Sequence, residues 1–155
     1  MVRPCTERYI RVVVTKARRD GKKIVFTNGV FDILHRGHVE YLTKARSFGD
    51  LLIVGLNSDV SVRRIKGPKR PVQPQADRAT ILLALRSVDY VVLFSEDTPE
   101  KLISIVRPDI LVKGADYERH EIVGAKFVQS YGGKVRRVRL RTGRSTTGIL
   151  SRLDA

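Results

Sequence analysis

A doubly wound α/β fold, with a parallel sheet of about five strands and helices on both faces, is what this sequence predicts. Three observations predict it. Short apolar runs such as 51–56 and 90–94 read as strands covered on both faces. Segments with apolar residues at helical spacing lie between them. Gly, Asn and Pro punctuate the changes from one period to the other.

Taken in order, residues 6–20 carry Tyr9, Ile10, Val13, Val14 and Ala17 at helical spacing before Gly21, which predicts an N-terminal helix. Residues 23–27 read as a short buried strand that runs into the turn-prone pair Asn28 and Gly29. A helix is expected over 37–48, with Val39, Leu42 and Ala45 along one side and Gly49 at its end. The strand 51–56 comes next, and Ser58 or Asp59 caps a short helix to about residue 64. Residues 66–74 form a polar, basic, proline-bearing loop. Ala79, Leu82, Leu83 and Leu85 make 75–88 helical. The remainder reads as a strand over 90–94, a helix over 99–106, a strand over 110–113 and a helix over 121–131 stopped by Gly132 and Gly133. A strand over 134–140 and a short helix over 145–153, capped by Ser145, close the chain. Strands alternating with helices imply right-handed crossovers and a Rossmann-like sheet, read here as a single domain over 1–155. Such sheets bind ligands beyond the carboxyl ends of their strands, where the strand order reverses. The functional loops are therefore expected after Thr27, Leu56, Phe94, Lys113 and Leu140.

Composition narrows the function. A hydrophobic fraction of 42% and a charged fraction of 30% are those of a globular chain. No apolar run is long enough to span a membrane, and 1–10 has no apolar segment resembling a secretory signal. Cys5 is the sole cysteine, so an internal disulfide is excluded and a reducing, cytoplasmic setting is expected. Thirty Lys and Arg against 16 Asp and Glu give a net charge of +14, a field that attracts anions. Nucleic acid is disfavoured as the partner. Aromatics are 6% of residues and the basic residues are scattered, which is a poor platform for base stacking. Homo-oligomerisation is left open.

The chemistry concentrates in the loop after the first strand, Thr27-Asn28-Gly29-Val30-Phe31-Asp32-Ile33-Leu34-His35-Arg36-Gly37-His38. His35 and His38 are spaced to share one face at the start of a helix, where backbone amides and the helix dipole attract phosphate. Gly37 removes a side chain where the anion must approach. Imidazole donors placed there suit the charge that builds on a triphosphate as its α-phosphorus is attacked. A capping histidine and a packed one are the alternative for an isolated HxGH string. The second motif, Arg141-Thr142-Gly143-Arg144-Ser145-Thr146-Thr147, comes after the last strand and opens another helix. It offers a second phosphate cradle, with an ordinary N-cap and solvated arginines as its alternative.

Together these motifs resemble the cytidylyltransferase-like nucleotidyltransferase superfamily. Within it the chain most resembles the adenylyltransferase (ADP-heptose synthase) domain of bifunctional heptose kinase/adenylyltransferases. The resemblance runs from about Lys22 to Leu153. It includes Asn57-Ser58-Asp59, Lys66-Gly67 with Arg70-Pro71, and Leu111-Val112-Lys113-Gly114-Ala115-Asp116-Tyr117. Val30 departs from the pattern, which has cysteine there, and Arg144 is a second departure. The resemblance implies transfer of AMP from ATP to D-glycero-β-D-manno-heptose 1-phosphate, with Mg²⁺ or another divalent cation accompanying the triphosphate. A separate kinase would supply the sugar phosphate, for which this chain has no room.

It also implies that His35, His38 and Lys66 are the catalytic residues, with Lys66 in a mobile loop. Thr27, Asn28, Gly29, Phe31, Asp32, Lys113, Gly114, Arg141, Ser145, Thr146 and Thr147 would then contact the nucleotide. Asp32 could order the metal–water shell or stabilise its own turn. Asp116 and Arg78 are candidates for the sugar phosphate, with a turn residue and a solvated helix face as the alternatives. His120 reads as an exposed residue at a helix start, and no compact zinc spacing occurs. A cytidylyltransferase acting on glycerol 3-phosphate or a related alcohol phosphate is the enzyme alternative. A non-catalytic nucleic-acid-binding module is the alternative from another class.

Overall fold

The computed structural model describes residues 4–115, 121–139, 148, 149 and 151. In chain order the elements are α1 (Glu7–Arg19), β1 (Ile24–Gly29), α2 (Arg36–Arg46), β2 (Leu51–Asn57), α3 (Asp59–Lys66), α4 (Gln75–Leu83), β3 (Tyr90–Phe94), α5 (Glu100–Val106), β4 (Ile110–Gly114), α6 (Ala125–Ser130) and β5 (Lys134–Val138). The five strands form one parallel sheet in the order β3-β2-β1-β4-β5. The chain thus builds outward from β1 in one direction, then returns to build outward in the other. The reversal lies between β1 and β4, where a sheet of this kind leaves a crevice.

Side-chain alternation sends successive strand residues to opposite faces, so each strand feeds two cores. Ile24 and Phe26 of β1 pack with Ile10, Val14 and Ala17 of α1, and with Leu102, Ile103 and Val106 of α5 and Val128 of α6. Val25, between them, packs with Tyr41, Leu42 and Ala45 of α2 and Ala79 and Leu82 of α4. The central strand β2 is buried along its whole length. Helices therefore cover both faces, as the unbroken apolar runs predict.

Three boundaries differ from expectation, each for a tertiary reason. β1 continues through Asn28 and Gly29, because their backbones pair with Gly55 and Leu56 of β2. The ladder overrides the turn preference of an Asn-Gly pair. α4 stops at Leu83 rather than near 88, and the Val88 amide closes a turn onto Leu85. α6 begins only at Ala125. Gly124 before it has φ +83°, and a Cβ there would meet Ile103 Cδ1 at 2.6 Å. The expected helix over 145–153 and the end of the strand 134–140 lie outside the described residues or at their edge.

The amino ends of the strands share a device that neither periodicity nor motif spacing reveals. Asp50, Asp89 and Asp109 each stand one residue before a strand. The carboxylate of Asp50 accepts from the Lys23 amide, that of Asp89 from Leu52 and that of Asp109 from Ile24, at 2.8, 2.7 and 2.7 Å. The three backbone amides return bonds to the carbonyls of the same partners. Each pair brackets the first rung between neighbouring strands and satisfies donors that would otherwise end the ladder unpaired. Asp109→Ala leaves the Ile24 amide without its side-chain acceptor. We expect a loss of about 1–2 kcal/mol in denaturant unfolding, without loss of cooperativity. An unchanged midpoint would show that water replaces the bracket.

Candidate active site

The carboxyl ends of β1, β2, β3 and β4 open into a cleft of about 380 Å³. Strand β1 and its loop supply Asn28, Gly29, Val30, Phe31 and Asp32, α2 supplies His38, and β4 supplies Lys113. Asn57, Phe94 and the ends of α3 and the loop after β3 complete the wall. The cleft lies where the topology requires it. A larger cavity of about 880 Å³ lies between α5 and the start of α6, and none of the expected site residues lines it.

The histidines are arranged as the loop–helix spacing requires. His35 is the N-cap of α2, and its Nδ1 accepts from the Gly37 amide at 3.1 Å. This fixes the ring and places the proton of the neutral imidazole on Nε2. His38 stacks on it, with ring centroids 3.9 Å apart and planes inclined by 26°. Phe31 closes the other side, its ring edge-on to His38 at 5.3 Å. Phe31 reaches that position with a left-handed backbone (φ 45°), a strained conformation for a bulky residue. Burial, and then the neighbouring His35, lower the His38 pKa from 6.5 to about 4. Its Nδ1 is buried without a hydrogen-bond partner among the described residues. The result is a neutral imidazole at the cleft wall. His35 is not among the residues that line the cleft, and reaches it through its stack on His38.

Lys113 is 9% exposed, and its ammonium donates to Asn28 Oδ1 across the β1–β4 reversal. Asp32 is 2% exposed, and its acceptors are taken up by a distant segment rather than by its own turn. Its carboxylate accepts from Arg70 Nε at 2.6 Å and from the amides of Val72 and Gln73 at 2.9 and 3.0 Å. Burial alone would raise its pKa. The Gln73 and Val72 amides and the Arg70 guanidinium outweigh that and hold the carboxyl below its ordinary range. The basic loop is therefore pinned at 70–73 rather than free, and Lys66 is the last residue of α3, lining the cleft.

Two expectations are corrected. Thr27 is fully buried, its hydroxyl sharing a 2.8 Å hydrogen bond with that of Tyr41, so its side chain faces the core rather than the cleft. Arg78 is 0% exposed, so it is no part of a solvated helix face. Its guanidinium donates to the carbonyls of Gln73, Val30 and Asn57 at 3.0, 2.6 and 2.9 Å, and to Asp59 Oδ1 at 2.7 Å. It ties three cleft-forming loops together from beneath. Gly114 ends β4 behind Lys113 and does not line the cleft. Asp116, His120, Arg141, Arg144, Ser145, Thr146 and Thr147 lie outside the described residues, and so does the second phosphate cradle.

Asn57, Ile65, Arg70, Phe94, Asp97 and Pro99 line the cleft without having been expected as contacts. Asn57 and Phe94 end strands, so the topology alone could have flagged them. Asp97 lies in the loop expected to be functional after Phe94, but no motif singled it out within that loop.

Two measurements test this geometry. His38 refuses a proton that the unfolded chain accepts. Its contribution to stability is thus complete above about pH 6.5 and is lost as pH falls toward 4. We expect His38→Gln to flatten the pH dependence of stability across that window, and an unchanged slope would show that the ring is solvated. Arg78→Met should cost about 3 kcal/mol in denaturant unfolding, because it leaves Asp59 and three carbonyls without their donor. A loss below about 1 kcal/mol would show that the loops hold without it.

A cytidylyltransferase-like family model matches residues 26–147, a span that holds every residue of the cleft. The chain is 58% identical over 144 residues to the bifunctional protein HldE of Syntrophotalea carbinolica, covering 93% of this chain and 29% of that protein. It is 59% identical over 137 residues to the bifunctional protein HldE of Campylobacter curvus, covering 88% of this chain and 28% of that protein. The chain therefore spans less than a third of the length of these curated relatives. Among solved structures, the lipopolysaccharide core biosynthesis protein from Thermoplasma volcanium GSS1 superposes with a TM-score of 0.62 at 32% identity, covering 78% of this chain and 98% of that one. Pantoate-beta-alanine ligase from Francisella tularensis shares the fold at a TM-score of 0.65 and 18% identity, covering 96% of this chain and 69% of that one. The histidine pair at the head of α2, the reversal crevice and the matched span lead to one assignment: the chain belongs to the cytidylyltransferase-like family.

Proposed function

We propose that the chain transfers AMP from ATP to D-glycero-β-D-manno-heptose 1-phosphate, giving ADP-heptose and pyrophosphate. One observation carries the reading. The segment that is 53–59% identical to bifunctional HldE proteins is the segment that builds the cleft, with its neutral His38 and the cations Lys66, Arg70 and Lys113.

In this reading an oxygen of the sugar phosphate attacks the α-phosphorus of ATP. The bond to the bridging oxygen breaks, and pyrophosphate leaves with that oxygen. His38, kept neutral, donates a hydrogen bond to the phosphates as their charge redistributes, and needs no proton transfer to do so. Its stacking partner His35 sets the ring plane through its bond to Gly37. Lys66 at the end of α3 and Arg70 in the pinned loop contribute positive charge on the side facing β2, and Lys113 contributes it beside β4.

No group of three or more His, Cys, Asp or Glu able to hold a metal occurs among the described residues, and Asp32 is already fully engaged. A divalent cation fits this donor set as the counterion of the triphosphate, held by phosphate oxygens and water, where it neutralises charge. Arg141, Ser145, Thr146 and Thr147 belong to the proposed site as contacts to the triphosphate or to departing pyrophosphate, and Asp116 as a contact to sugar hydroxyls. No helix of the described residues is long and apolar enough to cross a membrane. We place the reaction in the cytoplasm, on small-molecule substrates.

The test is pyrophosphate release from ATP or CTP against heptose 1-phosphate and glycerol 3-phosphate. ATP with heptose 1-phosphate should exceed every other pair in kcat/KM. A preference for CTP with glycerol 3-phosphate would replace this reading with the cytidylyltransferase one. In the same assay His38→Ala should lower kcat by about 10²–10³ while the melting temperature stays within a few degrees. A parallel collapse of fold and turnover would make His38 a core residue only.

A further inference from the structure

The cleft carries two carboxylates, and they are not equivalent. Asp32 is buried and saturated by Arg70 and two amides. Asp97, on the loop between β3 and α5, has a side chain that is 84% exposed and lines the same cleft. Among the described residues its partner is Arg64, bound through Oδ1, which accepts from Arg64 Nε at 3.1 Å and lies 3.0 Å from Arg64 Nη2. The other oxygen takes no part in that pair.

The loop that carries Asp97 is fixed in place. Arg64 also donates to the Ser95 carbonyl, the Ser95 hydroxyl donates to Ser58 Oγ at 2.8 Å, and the Ser58 amide donates to the Phe94 carbonyl at 2.9 Å. These bonds tie the base of the loop to α3 and β3, so the backbone that carries Asp97 is ordered before any ligand arrives, which lowers the ordering cost of using its carboxylate.

Its place in the sheet says which substrate it meets. The order β3-β2-β1-β4-β5 puts the crevice for a nucleotide between β1 and β4, beside His38 and Lys113. β3 is the edge strand on the other side, so its loop, with Asn57 after β2 and Ile65 and Lys66 on α3, borders the half of the cleft left to the acceptor. A fixed carboxylate there repels a phosphate oxygen and accepts hydrogen bonds from hydroxyl groups. Lys66 and Arg70, both in the cleft, answer the acceptor's phosphate.

We propose that Asp97, clamped by Arg64, is the residue that reads the hydroxyl groups of the acceptor and so selects a polyhydroxylated sugar phosphate over a hydroxyl-poor phosphate ester. The inference rests on the nucleotidyl-transfer reading above and assigns its substrate selectivity to one side chain.

The experiment uses the whole chain with saturating ATP, heptose 1-phosphate as substrate and ethyl phosphate as a competing, hydroxyl-poor inhibitor. Asp97→Ala should raise KM for heptose 1-phosphate about 10- to 100-fold. KM for ATP and Ki for ethyl phosphate should stay within about twofold. Asp97→Asn, which keeps an accepting oxygen, should recover part of the loss. An unchanged KM for the sugar phosphate overturns the inference. So does an equal weakening of sugar phosphate and ethyl phosphate, which would reduce Asp97 to a loop clamp. Wild-type protein that releases no pyrophosphate with heptose 1-phosphate overturns the parent reading and this inference together. Wild-type turnover with an indifferent Asp97→Ala overturns this inference alone.

Discussion

The geometry of the cleft depends on one buried cation. Loops after β1 and β2 and the segment 70–73 have no secondary structure in common, yet all three must meet for the cleft to exist. The Arg78 guanidinium joins them through the carbonyls of Val30, Asn57 and Gln73, and Asp59 balances its charge. A planar fork with five donors can reach several acceptors at once, which a lysine ammonium on a flexible stem does less well. Asp32 repeats the arrangement with opposite sign, gathering Arg70 and the amides of Val72 and Gln73. One acidic and one basic centre therefore grip the same segment from two sides. Buried ions are costly unless saturated. Both of these are paired, and the loops they hold are those that line the cleft.

The imidazole pair obeys a related logic. Burial strips His38 of its charge, and His35 discourages its return. In a chain of net charge +14, positive charge for a polyphosphate is abundant. A neutral, oriented donor is scarcer, and a stacked ring wedged beside Phe31 supplies it without adding to the local repulsion among Lys66, Arg70 and Lys113. The strained backbone of Phe31 is consistent with that task, since strain persists where surrounding contacts over-determine it.

Much of this was legible in the sequence because it is periodic or local. Apolar runs flanked by glycine located the strands. The topological rule located the cleft, and the spacing of His35 and His38 placed both rings at the head of α2. What escaped was set by distant partners. Arg78 sits at a helical position that reads as surface, and only the fold reveals that three carbonyls converge on it. Asp32 reads as a turn residue because its partners lie some 40 positions away. Thr27 opens the motif and looks available, but strand alternation turns it to Tyr41 in the core. Asn28 and Gly29 show the same principle in the backbone, where pairing with β2 defeats a local turn preference.

The aspartates at the opposite end of the sheet have a consequence for how the molecule tolerates change. Asp50, Asp89 and Asp109 fasten neighbouring strands at their first residues, on the side remote from the cleft. Alignment of the strands is thus set at the end of the sheet away from the residues that line the cleft. Sliding one strand by a residue would exchange its two faces and expose both cores. These clasps oppose that slip whatever the loops beyond Gly29, Asn57 or Phe94 contain. The clasps therefore set the strand alignment at one end of the sheet, while the Arg78 and Asp32 contacts shape the loops at the other, so the two ends are secured by separate sets of bonds.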